Sequence, residues 1–342
     1  MGVYDPPEFE LYRISERGLS TSPETGREPS AITFHPSGKL AFVANSGDDS
    51  VGIFRANPLD GSLRELESAG VVTGARPVSL EIDRFGRHLY VANRDSDTVS
   101  VFRLEDEERL APVESVASGR QPLDLQLDLG GRFLFVAEFG ADSISTYRRD
   151  NLSGKLVRVH SDSTQPGPRS MVLDRSGSLL FVANSLDNTV SSYQIGSTGR
   201  LRQVETVEAG REPVSVVADR EGAFLYVANA SSNDISQYRI DRSNGTLVPL
   251  DPVAVPTGGR PQTIAVDPGG DFLDLAQGGP RSVAIYLVEG SSGQLRLQDT
   301  VPGGREPTAV AAPPPLQKPG RDGLNLRPPH LGPGTDRRQL PD

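Results

Sequence analysis

The feature that most restricts the fold of this chain is a fourteen-residue segment that occurs five times with small changes. The copies are AFVANSGDDSVGIF, LYVANRDSDTVSVF, LFVAEFGADSISTY, LFVANSLDNTVSSY and LYVANASSNDISQY. A proline stands at a regular distance before each copy, and the series of prolines has seven members: Pro29, Pro77, Pro122, Pro168, Pro213, Pro261 and Pro307. Successive prolines are 45 to 48 residues apart, which indicates seven units of nearly equal length.

Each complete unit contains four short runs rich in valine, isoleucine, leucine and aromatic residues. In the second unit the predicted strands are Val78–Ile82, His88–Ala92, Thr98–Leu104 and Ala111–Ala117. The first turn of a unit recurs as HPSG, DRFG, DLGG, DRSG, DREG and DPGG, with an acceptor side chain at its start and glycine at its end, as a tight hairpin requires. A repeated four-stranded antiparallel unit of about 45 residues is typical of a propeller blade. The sequence therefore predicts an all-β, seven-bladed β-propeller.

Both ends of the chain are predicted to contribute to the seventh blade. Phe9–Ser15 matches the third strands of other units, Leu19–Thr25 would be a fourth strand, and Gly304–Ala312 matches a first strand. The second strand expected next is replaced by Pro313–Asp342, whose eight prolines and four glycines in 30 residues exclude a central strand. We expect one propeller domain over residues 1–312, with an incomplete seventh blade, and a disordered tail after it. A reading-frame error or a truncated gene would give the same loss of pattern.

The amino-acid composition of the chain limits the kinds of partner and site that it can have. The chain has no cysteine, which excludes disulfides and thiolate metal sites, and its net charge of −10 disfavours nucleic acid as a partner. The sequence shows neither a signal peptide nor an apolar run long enough for a membrane span, so it predicts a soluble monomer, cytoplasmic by default. No phosphate-binding loop, serine nucleophile elbow or zinc-protease motif is present, and we expect no cofactor and no metal.

Arginines and acids mark the loops at one end of the predicted channel. The loops that lead into the first strands carry one arginine per unit: Arg27, Arg76, Arg120, Arg169, Arg211, Arg260 and Arg305. The loops between second and third strands carry aspartates. Guanidinium groups fit carboxylate and phosphate, which favours an anion-binding channel mouth. The alternative is that each arginine pairs with an acid of an adjoining loop and ties one blade to the next, a role that every unit would need.

Function in a repeat protein is best sought where one unit departs from the others. Glu138 replaces an asparagine that recurs in this column, and Arg169 stands on the other side of its proline, followed by Ser170. We predict that these three residues form a catalytic cluster, with the carboxylate as general base and the arginine stabilising an oxyanion. Sequence drift is the alternative. Glu81, Asp124 and Gln126 are predicted to line the channel as ligand-binding residues, or to bond one another there.

The repeats LYVANRDSDTVSVFRL and LYVANASSNDISQYRIDRSNGTL resemble the YVTN-type repeats of the seven-bladed lactonase family, which includes 6-phosphogluconolactonase-like proteins. The resemblance runs from Phe9 to about Ala312 and implies the propeller fold. It also implies a His-x-His stretch and a GPRH step in members that are enzymes. This chain has no His-x-His and reads QPGPRSMVLD, so that Ser170 stands where the histidine would be.

Two functions follow from these observations. The favoured hypothesis is a non-catalytic propeller that binds a small anion, a lactone or a protein at its channel mouth. The alternative is a lactone hydrolase of the 6-phosphogluconolactonase-like type acting on a sugar-acid lactone at the same mouth. The missing histidines favour the first hypothesis, whereas Glu138 and Arg169 favour the second.

Overall fold

The computed structural model describes residues 10–13, 20–57, 62–66, 70–106, 108–267, 269–303 and 307–309, with the backbone alone for 10–13 and 20–24. Arg305 and the predicted tail over 313–342 lie outside the described residues. The part described consists almost entirely of antiparallel strands, joined by turns. It has one helical element, the three-residue 3-10 turn Phe139–Ala141, and therefore no helix able to cross a membrane.

Six four-stranded blades follow one another along the chain, each with its strands paired in sequence order. Blade one contains β3 (Pro29–Phe34), β4 (Leu40–Asn45), β5 (Ser50–Ala56) and β6 (Leu63–Glu65), with β7 (Val71–Val72) also paired to β5. Blade two contains β8 (Pro77–Ile82), β9 (His88–Asn93), β10 (Thr98–Glu105) and β11 (Arg109–Ala117). Blade three contains β12 (Pro122–Leu127), β13 (Phe133–Glu138), β14 (Ser143–Arg149) and β15 (Leu156–Ser163).

The remaining blades repeat this arrangement. Blade four contains β16 (Pro168–Leu173), β17 (Leu179–Asn184), β18 (Thr189–Ile195) and β19 (Leu201–Glu208). Blade five contains β20 (Pro213–Ala218), β21 (Phe224–Asn229), β22 (Asp234–Ile240) and β23 (Leu247–Pro256). Blade six contains β24 (Pro261–Val266), β25 (Phe272–Gln277), β26 (Ser282–Val288) and β27 (Leu295–Pro302). Near the amino terminus, β1 (Glu10–Arg13) and β2 (Ser20–Glu24) form a separate antiparallel pair. The all-β propeller of four-stranded blades is thus confirmed.

The hydrophobic core lies between the blades rather than within one sheet. Every residue of the second strands of blades one to five is buried. In blades two to five the neighbouring blades cover both faces of this strand. One core cluster joins Tyr90 and Val101 of blade two to Leu134 and Tyr147 of blade three. A blade of four strands cannot bury both of its faces alone, so similar apolar positions must recur in each unit.

The predicted hairpin turns are confirmed in detail. In blade two, Asp83 accepts hydrogen bonds from the backbone N–H groups of Phe85, Arg87 and His88 at 2.9–3.1 Å. Gly86 has a φ of 72°, a left-handed conformation that glycine adopts without strain. His35 occupies the same place in blade one, where its Nδ1 accepts the Ser37 N–H at 3.1 Å.

Polar side chains on the first strands connect the blades around the axis. Ser30 Oγ donates to the carbonyl of Pro77 at 2.8 Å, and Ser79 Oγ donates to Asp124 Oδ1 at 3.1 Å. Asp124 Oδ2 in turn accepts the backbone N–H of Met171 at 2.7 Å. These bonds join blades one to two, two to three and three to four. Each of these bonds involves a polar residue one or two positions after the proline of its unit.

Candidate functional site

The loops before the first strands place one residue per blade at the same end of the channel. The residue directly before the proline has a positive φ in blades one to six, and it is Glu28, Arg76, Gln121, Gly167, Glu212 or Arg260. From blade two onward its backbone N–H donates to an Asp or Asn of the preceding blade, as in Gln121 N to Asp97 Oδ1 at 2.7 Å and Arg260 N to Asn233 Oδ1 at 2.6 Å. The loop acids therefore tie the blades together mainly through backbone groups.

The repeated arginines occupy three positions relative to the proline, since Arg169 follows it. Arg27, Arg120 and Arg211 lie two residues before the proline, whereas Arg76 and Arg260 lie directly before it. Arg27 Nε pairs with Asp48 Oδ1 at 2.5 Å within its own blade, and this exposed pair holds its loop. Arg76 Nη2 lies 3.7 Å from Glu28 Oε2 of the neighbouring blade. Pairing across blades is thus seen for Arg76, while Arg211 Nη2 contacts the carbonyl of Ser231 of its own blade at 3.5 Å.

Arg169 and Glu212 face each other at this channel mouth. Arg169 Nη1 lies 3.7 Å from Glu212 Oε1, and the two side chains are 35% and 46% exposed. Glu212 Oε2 accepts a hydrogen bond from Ser231 Oγ at 2.6 Å, which orients the carboxylate. Burial lowers the pKa of Arg169; Glu212 opposes this effect, and the positive charges of Arg94 and Arg260 add to it. Charged groups from blades two, four, five and six are therefore close enough to influence one another.

Arg94 follows the second strand of blade two and completes this group. Its Nε is buried without a hydrogen-bond partner in the described part of the chain, although Asp95 Oδ1 lies 3.7 Å away. A buried N–H group of this kind gains free energy when a ligand supplies an acceptor. We refer to Arg94, Arg169, Glu212 and Arg260 as the mouth group.

The three residues of the predicted catalytic cluster have partners outside it. Glu138 is fully buried, and its oxygens accept the Gly119 N–H at 2.6 Å and the Ser143 hydroxyl at 2.7 Å, with Arg158 Nη2 at 3.8 Å. Ser170 Oγ accepts the backbone N–H of Val216 at 3.2 Å, so it is part of the bonds between blades. No hydrogen bond or ion pair joins Glu138, Arg169 and Ser170 to one another in the described structure, and their joint action stays a prediction.

Glu138 occupies the position of the recurring asparagines, whose contacts explain its own. Asn93 Nδ2 donates to the side chains of Thr98 and Ser100 at 3.0 and 2.9 Å, and Asn184 does the same with Thr189 and Ser191. The side chain at this position therefore bonds hydroxyl groups of the third strand. Glu138 does the same when it accepts the hydroxyl of Ser143.

Glu81 and Asp124 lie on first strands beside the axis, and the described structure shows no hydrogen bond between them. Glu81 Oε1 accepts the backbone N–H of Leu127 in the next blade at 3.2 Å. Burial, with a smaller contribution from the charge of Asp124, raises the pKa of Glu81 to about 8. Burial also raises the pKa of Asp124 to about 6, against the opposing effect of its hydrogen bonds. Each acid bonds the backbone of a neighbouring blade, and Gln126 lines a cavity at the other end of the channel.

Sequence reasoning missed Glu212 and Arg94. Glu212 stands between arginine and proline in GREP, and Arg94 follows the asparagine of VAN. A comparison of the column before each proline would have separated Glu28 and Glu212 from the arginines. In the described residues no group of three histidine, aspartate or glutamate side chains is arranged to hold a metal ion.

The fold and the mouth group together define a β-propeller with an arginine-rich polar site at one end of its channel. The profile of the family described as "Lactonase, 7-bladed beta-propeller" matches residues 8–166, 110–218 and 163–312. These overlapping segments cover most of the chain, which therefore belongs to the seven-bladed β-propeller lactonase family. The resemblance seen in the repeats is confirmed.

Solved structures from several bacteria share the fold. A candidate 6-phosphogluconolactonase from Bacteroides fragilis has a TM-score of 0.79 at 18% identity, covering 88% of this chain and 94% of that one. A second from Bacteroides uniformis has a TM-score of 0.79 at 20% identity, with 88% and 96% covered. The periplasmic gluconolactonase of Pseudomonas aeruginosa has a TM-score of 0.74 at 23% identity, with 87% and 93% covered. A search of curated proteins found no match.

Proposed function

We propose that this protein is a lactone hydrolase and that the mouth group is its active site. The observation that carries the proposal is the Arg169–Glu212 pair, in which a carboxylate oriented by Ser231 faces a guanidinium at 3.7 Å. The distance is longer than a direct hydrogen bond, so both groups keep donor and acceptor capacity for a substrate oxygen or a water bound beside the pair. Membership of a lactonase family supports hydrolysis over binding alone.

The chemistry needs a base and a stabilised oxyanion. Glu212 accepts a proton from water as the water oxygen bonds to the lactone carbonyl carbon. The carbonyl oxygen becomes negative, and the Arg169 guanidinium donates hydrogen bonds to it. The ring C–O bond then breaks, and the proton held by Glu212 passes to the leaving ring oxygen. The product is an open-chain hydroxy acid.

Arg94 and Arg260 suit a substrate that carries negative charge or many hydroxyl groups. The partly exposed guanidinium of Arg94 can donate to a substrate oxygen, and the three arginines of the mouth group provide a positive field on an otherwise acidic protein. The related structures include a gluconolactonase and candidate 6-phosphogluconolactonases. A sugar-acid lactone, with or without a phosphate group, is therefore the proposed substrate class.

We assign the base to Glu212 rather than to Glu138 because of what each carboxylate contacts. Glu138 is fully buried and both of its oxygens accept a hydrogen bond from the protein. Glu212 is 46% exposed and one of its oxygens faces only Arg169. A base must reach a water molecule held against the substrate.

The ring around this site has seven blades in our proposal, with the seventh assembled from both ends of the chain. The β1–β2 pair supplies two strands, and β2 lies against β6 of blade one. Thr308 lies between Thr263 of blade six and Pro29 of blade one, where a first strand of blade seven belongs. The absence of a second strand from that blade, which leaves the blade incomplete, is part of this proposal.

The experiment is a hydrolysis assay on 6-phosphogluconolactone, glucono-δ-lactone and unsubstituted δ-valerolactone, followed by acid release at constant pH. We expect turnover above the uncatalysed rate that Glu212→Gln and Arg169→Gln both abolish. Arg202→Gln is the matched control, because Arg202 is exposed on β19 and bonds only Gln194 in the described structure. If no lactone is hydrolysed, the better hypothesis is that the same mouth binds the hydroxy acid without reaction. Ser170, in the place of the family histidine, favours that hypothesis.

A further inference from the structure

A cavity of about 450 Å³ opens at the end of the channel opposite the mouth group. It is lined by the last residues of the first strands and by the hairpin turns of blades two to five. The first strands begin at the mouth and end at these turns, so the cavity and the proposed active site are separated by the length of a strand. Its volume falls in the range of small-molecule sites.

The acids around this cavity are already satisfied by their own turns. Asp174 and Asp219 each accept backbone N–H groups of the turns that they begin. Asp128 accepts two backbone N–H groups in the same way. Asp83 is 1% exposed and is paired with Arg149 and His88. These carboxylates line the cavity, but their oxygens already accept hydrogen bonds from protein donors.

The arginines of the rim have unused donors. Arg84, Arg175 and Arg220 come from blades two, four and five, and all three are exposed. Arg84 lies over the ring of Phe85 at 4.6 Å, and Arg220 reaches only the carbonyl of Gly269 at 3.3 Å. Neither has a carboxylate within ion-pair distance in the described part of the chain. Arg175 pairs with Glu221, but both side chains are at least 60% exposed, so this pair contributes little.

The interior of the cavity combines apolar walls with a polar floor. Leu127, Val172 and Leu173 form part of the wall, and Phe85 and Leu129 are 59% and 54% exposed beside it. Glu81 and Gln126 lie where the cavity meets the channel. The raised pKa of Glu81 keeps its carboxyl group largely protonated at neutral pH, so it can donate a hydrogen bond and does not repel an anion.

We propose that this cavity is a second ligand site, which binds a small organic anion with an apolar body and a hydroxyl group at its far end. The anionic group would bind a rim guanidinium, that of Arg84 on blade two or that of Arg220 on blade five. The apolar body would pack between Phe85, Leu129 and the leucines of the wall, and the hydroxyl would reach Gln126 and Glu81. A hydroxylated aromatic carboxylate has this distribution of groups. The proposal does not depend on hydrolysis at the mouth group.

The test uses 4-hydroxybenzoate as the probe in calorimetric titrations of the full chain at neutral pH. We expect one saturable site, and an affinity at least about tenfold weaker in Arg84→Gln/Arg220→Gln, since each charged hydrogen bond lost costs roughly that factor. The neutral analogue 4-hydroxybenzyl alcohol should also bind at least about tenfold more weakly. Arg202→Gln and the mouth variant Arg169→Gln should bind the probe as the parent protein does.

Three results would overturn the proposal. The first is no saturable binding of 4-hydroxybenzoate at millimolar concentration. The second is binding that Arg169→Gln weakens and the rim double variant leaves unchanged, which would place the probe at the mouth. The third is displacement of the probe by an equal concentration of inorganic phosphate, which would show that charge alone is recognised. The two rim residues are exposed, so thermal unfolding of the double variant should match the parent and exclude misfolding as the cause.

Discussion

Thr308 Oγ1 donates a hydrogen bond to the carbonyl of Pro29 at 2.7 Å, although the two residues are 279 positions apart in the chain. The carbonyl of Thr308 accepts the hydroxyl of Thr263 at 2.9 Å, so this residue bridges blade six and blade one. It thereby closes the series of bonds between blades that Ser30 and Asp124 exemplify elsewhere. Blade six and blade one are thus linked through Thr308 by the same kind of contact that joins the other blades.

Replacing Thr308 by valine should weaken this closure. The substitution keeps the shape of the side chain and removes one hydroxyl, so we expect a loss of about 0.5–1.5 kcal/mol in the free energy of unfolding. Denaturant unfolding would measure it. Thr300→Val is the control, because Thr300 is also exposed and makes no side-chain hydrogen bond in the described structure. Equal stability of the two variants would show that the Thr308 hydroxyl does not help to close the ring.

A buried charged network joins blades two and three, and its loss should be costly. Arg149 is 3% exposed and donates to Asp83 and, at 2.5 Å, to the hydroxyl of Tyr90, while His88 Nδ1 lies 3.0 Å from Asp83. Arg149→Met would leave the Asp83 carboxylate buried without its cation, and we expect a loss of about 3–5 kcal/mol. Chemical denaturation would measure the change, with Arg202→Met as the exposed control.

A double variant separates the loss of the Asp83–Arg149 interaction from the other effects of each substitution. Asp83→Asn/Arg149→Met removes both charges, so the added loss relative to Arg149→Met should be much smaller than the loss caused by Asp83→Asn alone. Additive losses would mean that Arg149 and Asp83 act independently. That result would contradict the contact seen between them.

Glu81 should make the protein less stable as pH rises through neutrality. Its pKa is raised by burial to about 8 in the folded state, from an ordinary value of 4.5, so the folded protein holds this proton more tightly than the unfolded chain does. The associated stability is fully present below the unfolded pKa and is lost as pH approaches about 8. We expect that Glu81→Gln removes a pH-dependent loss in the free energy of unfolding on the order of a few kcal/mol.

Unfolding curves at several pH values between 5 and 9 would test this expectation. The parent protein and Glu81→Gln should differ most near the upper end, where the parent carries a buried charge and the variant does not. A constant difference across this range would mean that the Glu81 carboxyl group does not titrate there. Asp124, whose pKa is raised to about 6 by burial, contributes in the same direction at lower pH in both proteins.

The repeated parts of the molecule could be predicted from sequence, whereas of the mouth group only Arg169 and Arg260 were predicted. Strands, turns and the β1–β2 pair follow from patterns that recur in every unit, because each blade must pack against similar neighbours. The mouth group instead takes single residues from different blades. Arg94 and Glu212 have meaning only once the ring brings them near Arg169. Glu138 was predicted to be functional because it replaces a recurring asparagine. In the structure it makes the same contact with a third-strand hydroxyl that those asparagines make.

Replacement by glutamine should have different effects on activity at Glu212 and at Glu138. Glu212→Gln keeps the size of the side chain but removes the base, so we expect lactone hydrolysis to fall by about 10²- to 10⁴-fold with little change in stability. Glu138→Gln should leave both activity and stability close to those of the parent. A carboxamide can still accept the Gly119 N–H and contact Ser143, and Gln277 already fills the equivalent position in blade six. Initial rates on the lactone panel, together with thermal unfolding of both variants, would compare them. Loss of hydrolysis in Glu138→Gln with full activity in Glu212→Gln would move the base from the mouth group to the buried carboxylate.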